Sequence, residues 1–287
     1  MSRRRWMTLA VAALAVAVYA LALRQLEARP RAQMAEGLRV RMPVLLQVLQ
    51  AGGDRHLAAD LAVIRSITVG TEVTDHETLR VQAALAEDAS LMNPRHEDNY
   101  YMAAALLPWQ GYTEQAQVVL RRAADARPWD MWPAFFYAFN TSYFERDYAQ
   151  AAQWAERAAL RTGEPNASAL RAMAAKWLER GDDPAQGIEM IERLKTITSD
   201  ERSLRLMDAR IERLRGLQAL RQAVSAYRQR HGMPPAQLEQ LLGGGLLTAL
   251  PRDPLGMGYE LDAQGVPQLA GAAHGAAGMK NGGEDKK

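Results

Sequence analysis

Histidine and carboxylate side chains are the groups of this sequence that could hold a metal ion or carry acid–base catalysis. The chain has five histidines: His56, His76, His96, His231 and His274. No two of them stand four residues apart, so the HExxH pattern of zinc hydrolases is absent. Many carboxylates lie next to an arginine, as in Glu156/Arg157, which is typical of ion pairs on solvated helix faces. These groups therefore predict neither a metal site nor a catalytic pair.

Motifs for nucleophilic catalysis and phosphate binding are also absent. The chain has no cysteine, which excludes disulfides, thiol nucleophiles, iron–sulfur clusters and cysteine-ligated zinc. It contains no GxSxG elbow, no P-loop and no GxGxxG, and the glycines at 243–245 are followed by two leucines. We therefore expect a protein that is not an enzyme, needs no cofactor and takes no small-molecule substrate.

The composition is that of a globular chain with a sizeable core. Of the 287 residues, 48% are hydrophobic and 24% are charged, and the formal net charge is +2. Such a small charge gives no argument for a nucleic-acid partner. Arginine is strongly preferred over lysine and alanine is abundant, a bias that is typical of high-GC bacterial genomes.

An uncharged N-terminal segment predicts the compartment. Residues 6–23 carry no charge and follow a basic tip at 1–5 with three arginines. As a helix the segment would span about 27 Å, close to the hydrocarbon thickness of a bilayer. The positive-inside rule keeps the tip in the cytoplasm, so we expect a single-pass inner-membrane anchor with a periplasmic body. Cleavage as a signal peptide after 20–22 (Ala-Leu-Ala) is the alternative, and it also predicts a periplasmic body.

Helical periodicity dominates the middle of the chain, and Pro and Gly mostly fall between the periodic blocks. The spacing predicts helices over 32–50, 54–69, 74–90, 96–107, 113–126, 132–144, 148–161, 167–180, 184–197 and 200–230. An interruption of the last helix near Gly216 is left open. We assign 31–215 to one helical domain.

Two blocks of this domain repeat each other. YTEQAQVVLRRAADARP from Tyr112 aligns with YAQAAQWAERAALRTGEP from Tyr148, and a looser third unit begins at Ser168. Each unit reads as helix, short turn, helix. Asp147, with Gln150 three residues on, and Asp183, followed by proline, are predicted N-caps.

The repeated units resemble the tetratricopeptide repeat (TPR) over roughly residues 96–198. They share its period, a small alanine at a fixed place in the second helix, an aromatic residue at the turn and a closing proline. The glycine of the first helix is missing, since Ala104 and Thr141 lie near that place. The segments 55–66, 91–107 and 132–159 also look like a group of single-span bacterial repeat proteins. The resemblance implies stacked helical hairpins with a groove that holds a peptide or a partner helix.

Candidate residues follow from that architecture. We expect Ala116, Ala123, Ala152 and Ala159 to lie where helices pack closely, because larger residues there would overpack the interface by about 1–3 kcal/mol each. Aromatic residues concentrate on the first helices of two units, and most are expected in the core: Tyr100, Tyr101, Trp109, Trp132, Phe135, Phe136, Tyr137, Phe139, Tyr143 and Phe144. The candidates for exposure in the partner-binding groove are Tyr101, Tyr137 and Asn140.

The segment 216–269 differs in character and reads as a helix, a Pro turn, a short helix and a hairpin with strands at Tyr259–Leu261 and Val266–Leu269. Its elements YxxxHGxPP, LPxDPLG and YxL resemble the end of type II secretion pseudopilins. Asp253 is predicted to cap a turn, and a calcium-binding role for Asp253 and Asp262 is left open. We expect residues 270–287, rich in Gly, Ala and Lys, to be disordered.

Together these features predict an all-α chain: a TPR-like helical-hairpin solenoid with an N-terminal transmembrane helix and a small C-terminal α+β appendage. The expected function is a membrane-tethered periplasmic scaffold that binds or assembles other envelope proteins. The alternative is a permanent accessory subunit that stabilises an integral membrane enzyme or transporter complex.

Overall fold

The computed structural model describes residues 41–68, 76–243 and 245–270, together with 12, 14–21 and 24. Over these ranges the chain is predominantly helical, as the periodicity predicts. The helices are α1 (Val44–Gln50), α2 (Arg55–Thr68), α3 (His76–Met92), α4 (Glu97–Leu106), α5 (Thr113–Ala126), α6 (Trp132–Asn140), α7 (Tyr148–Ala159), α8 (Asn166–Leu178), α9 (Pro184–Thr196), α10 (Glu201–His231) and α11 (Gln240–Gly243). A 3-10 turn covers Pro108–Gln110, and a π-helical turn covers Thr141–Glu145.

Consecutive helices pack as hairpins, and the hairpins pack on one another. Helix α2 lies against α3, α4 against α5, α6 against α7, and α8 against α9. Between hairpins, α3 and α6 contact α5, α7 contacts α8, and α9 contacts α10. The chain is therefore a packed series of helical hairpins, an architecture compatible with a TPR-like fold.

Aspartate side chains begin several of these helices. Asp147 accepts a 2.9 Å hydrogen bond from the backbone N–H of Gln150 at the start of α7. Asp183 accepts hydrogen bonds from the backbone N–H groups of Ala185 and Gln186, with Pro184 at the first helical position of α9. Both predicted N-caps are thus confirmed, and each supplies an acceptor for backbone donors that the helix itself leaves unpaired.

Small side chains fill the contacts between hairpins. The four alanines expected at close helix contacts, Ala116, Ala123, Ala152 and Ala159, are all buried. Gly187 occupies a similar place in α9, since a Cβ there would lie 3.1 Å from the Leu178 carbonyl oxygen and 3.1 Å from Leu214 Cδ1. Larger residues at such positions would force the helices apart.

Helix α10 runs without a break through Gly216, so the helix is not interrupted there. It also crosses the expected domain boundary between residues 215 and 216. The glycine instead makes room for a distant side chain. A Cβ at Gly216 would lie 2.2 Å from the hydroxyl oxygen of Tyr259. That hydroxyl donates a 3.0 Å hydrogen bond to the Arg213 carbonyl oxygen of α10.

The C-terminal segment packs along the second half of α10. Strands β1 (Tyr259–Leu261) and β2 (Pro267–Leu269) are antiparallel, with Tyr259 opposite Leu269. The first predicted strand is confirmed, and the second begins one residue later than expected. Arg213 Nε of α10 lies 3.1 Å from Asp253 Oδ2, with both side chains buried. The segment therefore shares a core and a buried ion pair with the helical body.

The predicted anchor lies largely outside the described residues. Of 6–23, residues 12 and 14–21 are described, as exposed helix. In the part of the chain that the structure describes, no helix combines the length and the apolar character needed to cross a bilayer. The basic tip at 1–5 and the tail from 271 onward also lie outside the described residues.

Replacing Gly216 with alanine is expected to destabilise the protein by about 1–3 kcal/mol, because the new methyl group displaces Tyr259. In a helix interior without that contact, the same change would stabilise by about 1 kcal/mol. Urea unfolding followed by circular dichroism measures the difference. In a Tyr259→Ala background, Gly216→Ala should become less harmful or even stabilising.

The control for this change is Gly163→Ala, because a Cβ at Gly163 would meet nothing within 4 Å. A Gly216→Ala protein that is as stable as this control, or that gains stability in the presence of Tyr259, would show that Tyr259 does not require the glycine.

Candidate partner-binding surface

The structure places two of the three expected groove residues in the core. Tyr137 is 7% exposed and stacks on Trp154 of α7, with ring centroids 3.9 Å apart. Asn140 is 2% exposed. The prediction that these two residues are exposed in a groove is therefore wrong. Helix α6 (WPAFFYAFN) is apolar on nearly every side, so its sequence does not indicate which face packs on α7.

Tyr101 differs from these two residues because it is only partly buried. Its ring lies 4.6 Å from Tyr100 on the same helix and 5.6 Å from Phe136 of α6, in an edge-to-face arrangement. Tyr101 therefore connects the aromatic residues of α4 with those of α6.

Helix α6 and its π-helical turn carry aromatic side chains at the spacing of one helix face. Trp132 stacks on Phe136 at 5.6 Å, and Phe139 stacks on Tyr143 at 5.5 Å. Trp109, from the turn after α4, lies 5.3 Å from Tyr143. We refer to this group as the aromatic surface; it consists of Tyr101, Trp109, Trp132, Phe136, Phe139 and Tyr143.

Two members of the aromatic surface are large, exposed and adjacent. Trp109 is 58% exposed and Tyr143 is 38% exposed. Tryptophan and tyrosine combine a large apolar area with a hydrogen-bonding group, and they are enriched among the residues that dominate binding energy at protein interfaces. This surface is therefore suited to binding a protein segment.

The π-helical turn sets the direction of Tyr143. The buried amide of Gln117 on α5 donates hydrogen bonds to the Tyr137 carbonyl (3.3 Å) and the Thr141 hydroxyl (2.8 Å) at the start of the turn. The turn ends at Arg146, a non-glycine residue with a positive φ of 59°. Wide turns of this kind occur frequently at functional sites, and this one brings Tyr143 and Phe144 to Trp109.

Asp130 holds α4 and α6 together beneath the aromatic surface. Its carboxylate accepts hydrogen bonds from the Tyr100 hydroxyl (2.7 Å), from Arg127 Nε (2.9 Å) and from the backbone N–H of Trp132 (3.0 Å). Its carbonyl oxygen accepts a further bond from Arg161, beyond α7. One residue in a turn thus connects two consecutive hairpins, α4–α5 and α6–α7, and the loop that follows α7.

Ionisation supports the same arrangement. Burial alone would raise the pKa of Asp130, but hydrogen bonds from Tyr100, Trp132 and Arg127 outweigh it and hold that pKa below its ordinary value. Burial and the bond to Asp130 raise the pKa of the Tyr100 hydroxyl, which therefore stays protonated and donates. At neutral pH the group consists of a carboxylate surrounded by donors.

The remaining candidates for chemistry have structural roles. Asp253 accepts hydrogen bonds from three backbone N–H groups of its own turn, as a turn cap does, and Asp262 accepts two in the same way. His96 Nδ1 caps α4, and its Nε2 lies 3.1 Å from Asp60. Within the described ranges, no group of three or more histidine, aspartate or glutamate side chains is placed to hold a metal ion.

Sequence reasoning missed the importance of Trp109, Tyr143 and Asp130. Trp109 and Tyr143 were expected in the core with the other aromatic residues, since apolar periodicity does not identify a π-helical turn. One signal in the sequence could have indicated that Trp109 lies outside a helix. Pro108 directly precedes it, and a proline at this place ends α4 and turns the chain before α5.

Replacing Asp130 with asparagine is expected to destabilise the protein by about 1–3 kcal/mol at neutral pH, because charged acceptors make the stronger hydrogen bonds. The folded pKa of Asp130 lies below the unfolded value of about 3.9, so its stabilisation is complete at neutral pH. That stabilisation is lost as the pH falls through the folded pKa. Urea unfolding between about pH 7 and pH 3 should show the difference between wild type and variant shrinking in acid.

Asp125→Asn is the matched control, since Asp125 makes an exposed ion pair with Arg157 at 2.5 Å. Exposed pairs contribute about 0–1 kcal/mol. If Asp130→Asn costs no more than Asp125→Asn at neutral pH, Asp130 does not hold the hairpins together.

Comparison with known proteins adds no family to this description. No protein-family model, no curated protein and no solved structure matches the chain significantly. The resemblances to tetratricopeptide repeats and to pseudopilins therefore stay predictions, and the chain is described by its architecture as a protein of packed helical hairpins.

Proposed function

We propose that this chain is a membrane-tethered periplasmic scaffold of TPR-like hairpins, which binds another envelope protein through the aromatic surface. The observation that carries the proposal is the exposed pair Trp109 and Tyr143, with ring centroids 5.3 Å apart at the junction of α4 and α6. Exposed apolar groups of this kind are typical of interaction sites. The bound partner would be a peptide segment or an amphipathic helix.

The packing between hairpins supports the TPR-like part of the proposal. The alanines that align between units, Ala116 with Ala152 and Ala123 with Ala159, are buried in the two corresponding helices α5 and α7. Equivalent residues in equivalent places are expected of a repeat protein, in which each unit buries its apolar face against its neighbours.

The tether is proposed from the sequence of residues 1–23. An uncharged segment of nearly bilayer length follows three arginines, which favours an inner-membrane anchor with the body in the periplasm. Cleavage of the same segment as a signal peptide is the alternative and would release the body into the periplasm.

Replacing both Trp109 and Tyr143 with alanine should abolish partner capture. Loss of an aromatic residue that dominates an interface costs about 2 kcal/mol or more, which lowers affinity roughly 30-fold. The measurement is quantitative co-purification from detergent-solubilised membranes after photo-crosslinking, with circular dichroism to confirm the fold.

Trp129→Ala is the matched control, because Trp129 is 60% exposed and lies outside the aromatic surface. It should leave capture unchanged. Equal capture by wild type and the double variant would contradict binding at this surface. Tyr137→Ala is an unsuitable test, because loss of a buried aromatic residue costs about 3–5 kcal/mol and disturbs the core. Asn140 is also buried, so Asn140→Ala does not test surface binding either.

The anchor is tested separately in the intact chain. A retained anchor predicts that the mature protein keeps its N-terminus in the membrane fraction, and that a periplasm-dependent reporter fused after residue 30 is active. A mature chain that begins near residue 23 would support signal cleavage. A reporter active only in the cytosol would contradict both forms of the proposal.

The second candidate function is a permanent accessory subunit of an integral membrane enzyme or transporter complex. It is distinguished by behaviour in mild detergent. A fixed subunit co-purifies in constant stoichiometry and is unstable alone, whereas a recruiting scaffold is stable alone and binds its partner reversibly. The ion pairs and buried cores within the hairpins favour a chain that is stable by itself.

A further inference from the structure

A second apolar surface lies at the N-terminal end of the hairpin series. Helices α1 and α2 pack together and carry seven large aliphatic side chains that are 46–70% exposed. We refer to six of them as the aliphatic face: Leu45, Leu46, Leu49, Leu57, Leu61 and Ile64. The seventh, Ile67, lies near the end of α2.

The exposure follows from how the two helices pack. Helix α2 turns Ala58, Ala59, Ala62 and Val63 toward α3, and these residues are buried. The aliphatic residues of α2 follow one another at spacings of four and three residues, so they form one stripe on the opposite side. Helix α1 likewise buries Gln47, which donates a 3.0 Å hydrogen bond to Asp88 of α3. Its leucines therefore point away from the body.

We propose that the aliphatic face lies against the surface of a lipid bilayer and enters its interfacial region. This inference rests on the membrane anchor of the proposed function. It adds a second membrane contact, which would orient the hairpins relative to the bilayer.

The chemistry of the face favours lipid over protein. Leucine is under-represented among the residues that dominate protein interfaces, whereas tryptophan and tyrosine are enriched. Leucine and isoleucine are among the side chains that enter the bilayer most favourably.

The position of the aliphatic face near the anchor, and the arginine beside the face, agree with contact to a lipid bilayer. The chain between the end of the uncharged segment at residue 23 and Arg41 reaches at most roughly 60 Å when extended, so the face is close to any membrane that holds the anchor. Arg55, at the start of α2, flanks the face and is exposed, whereas Arg41 is turned toward the body, where its guanidinium pairs with Asp88 of α3 at 2.8 Å. Arginine beside an apolar surface can place its charged group at lipid phosphates while its methylene groups stay apolar.

The test uses the full chain reconstituted into vesicles of phosphatidylcholine and phosphatidylglycerol. Since the chain has no cysteine, Leu61→Cys and Leu45→Cys each accept one environment-sensitive fluorophore. Phosphatidylcholine brominated on its acyl chains quenches a fluorophore that enters the interfacial region, and we expect about twofold quenching at both positions.

Leu160→Cys is the matched control, because Leu160 is an isolated leucine after α7 that is 73% exposed. Its fluorophore should stay unquenched. Flotation of the same vesicles reports whether the anchor holds the protein.

The outcomes separate the two proposals. Protein that floats without quenching at residues 45 and 61 overturns the membrane contact and leaves the anchor intact. Protein that does not float overturns both. A blue-shifted fluorophore that brominated lipid does not quench would show that protein covers the face, either a second copy or another part of this chain, and would also overturn the proposal.

Discussion

Close approach between helices is the constraint on which the structure depends. Alanine and glycine have side chains small enough for helix backbones to pack directly, and the buried alanines of α5 and α7 lie at these contacts. Helices held at such short distances leave little freedom in their relative orientation. Several large side chains lie on the other sides of the helices, where they form the aromatic surface and the aliphatic face.

The short distances between helices do not by themselves determine how α4 and α6 are oriented. Hydrogen bonds to one polar side chain also contribute to that orientation. Asp130 gathers donors from Tyr100, Arg127 and Trp132 at one turn. A largely buried carboxylate is stable only with such partners, so the turn has a single favourable geometry. The position of the aromatic surface thus follows from a hydrogen-bonded turn as much as from apolar packing.

The sequence predicts the helices well and the exposure of their side chains poorly. The predicted helix at 113–126 coincides with α5, because its apolar residues are strongly periodic and the turns on either side of it contain glycine or proline. Helix α6 has no polar face, so the burial of Tyr137 and Asn140 depends on the neighbouring α5 and α7. The role of Gly216 depends on Tyr259, a residue distant in sequence that no local pattern connects to it.

The unbroken course of α10 has a mechanical consequence. A helix of its length extends about 46 Å, with the hairpin of α8 and α9 against its first half and the C-terminal strands against its second. Because the helix behaves as a stiff rod, a load applied to the strands is transmitted to the last hairpin without being absorbed by a flexible joint. We therefore expect the two ends of this helix to move together.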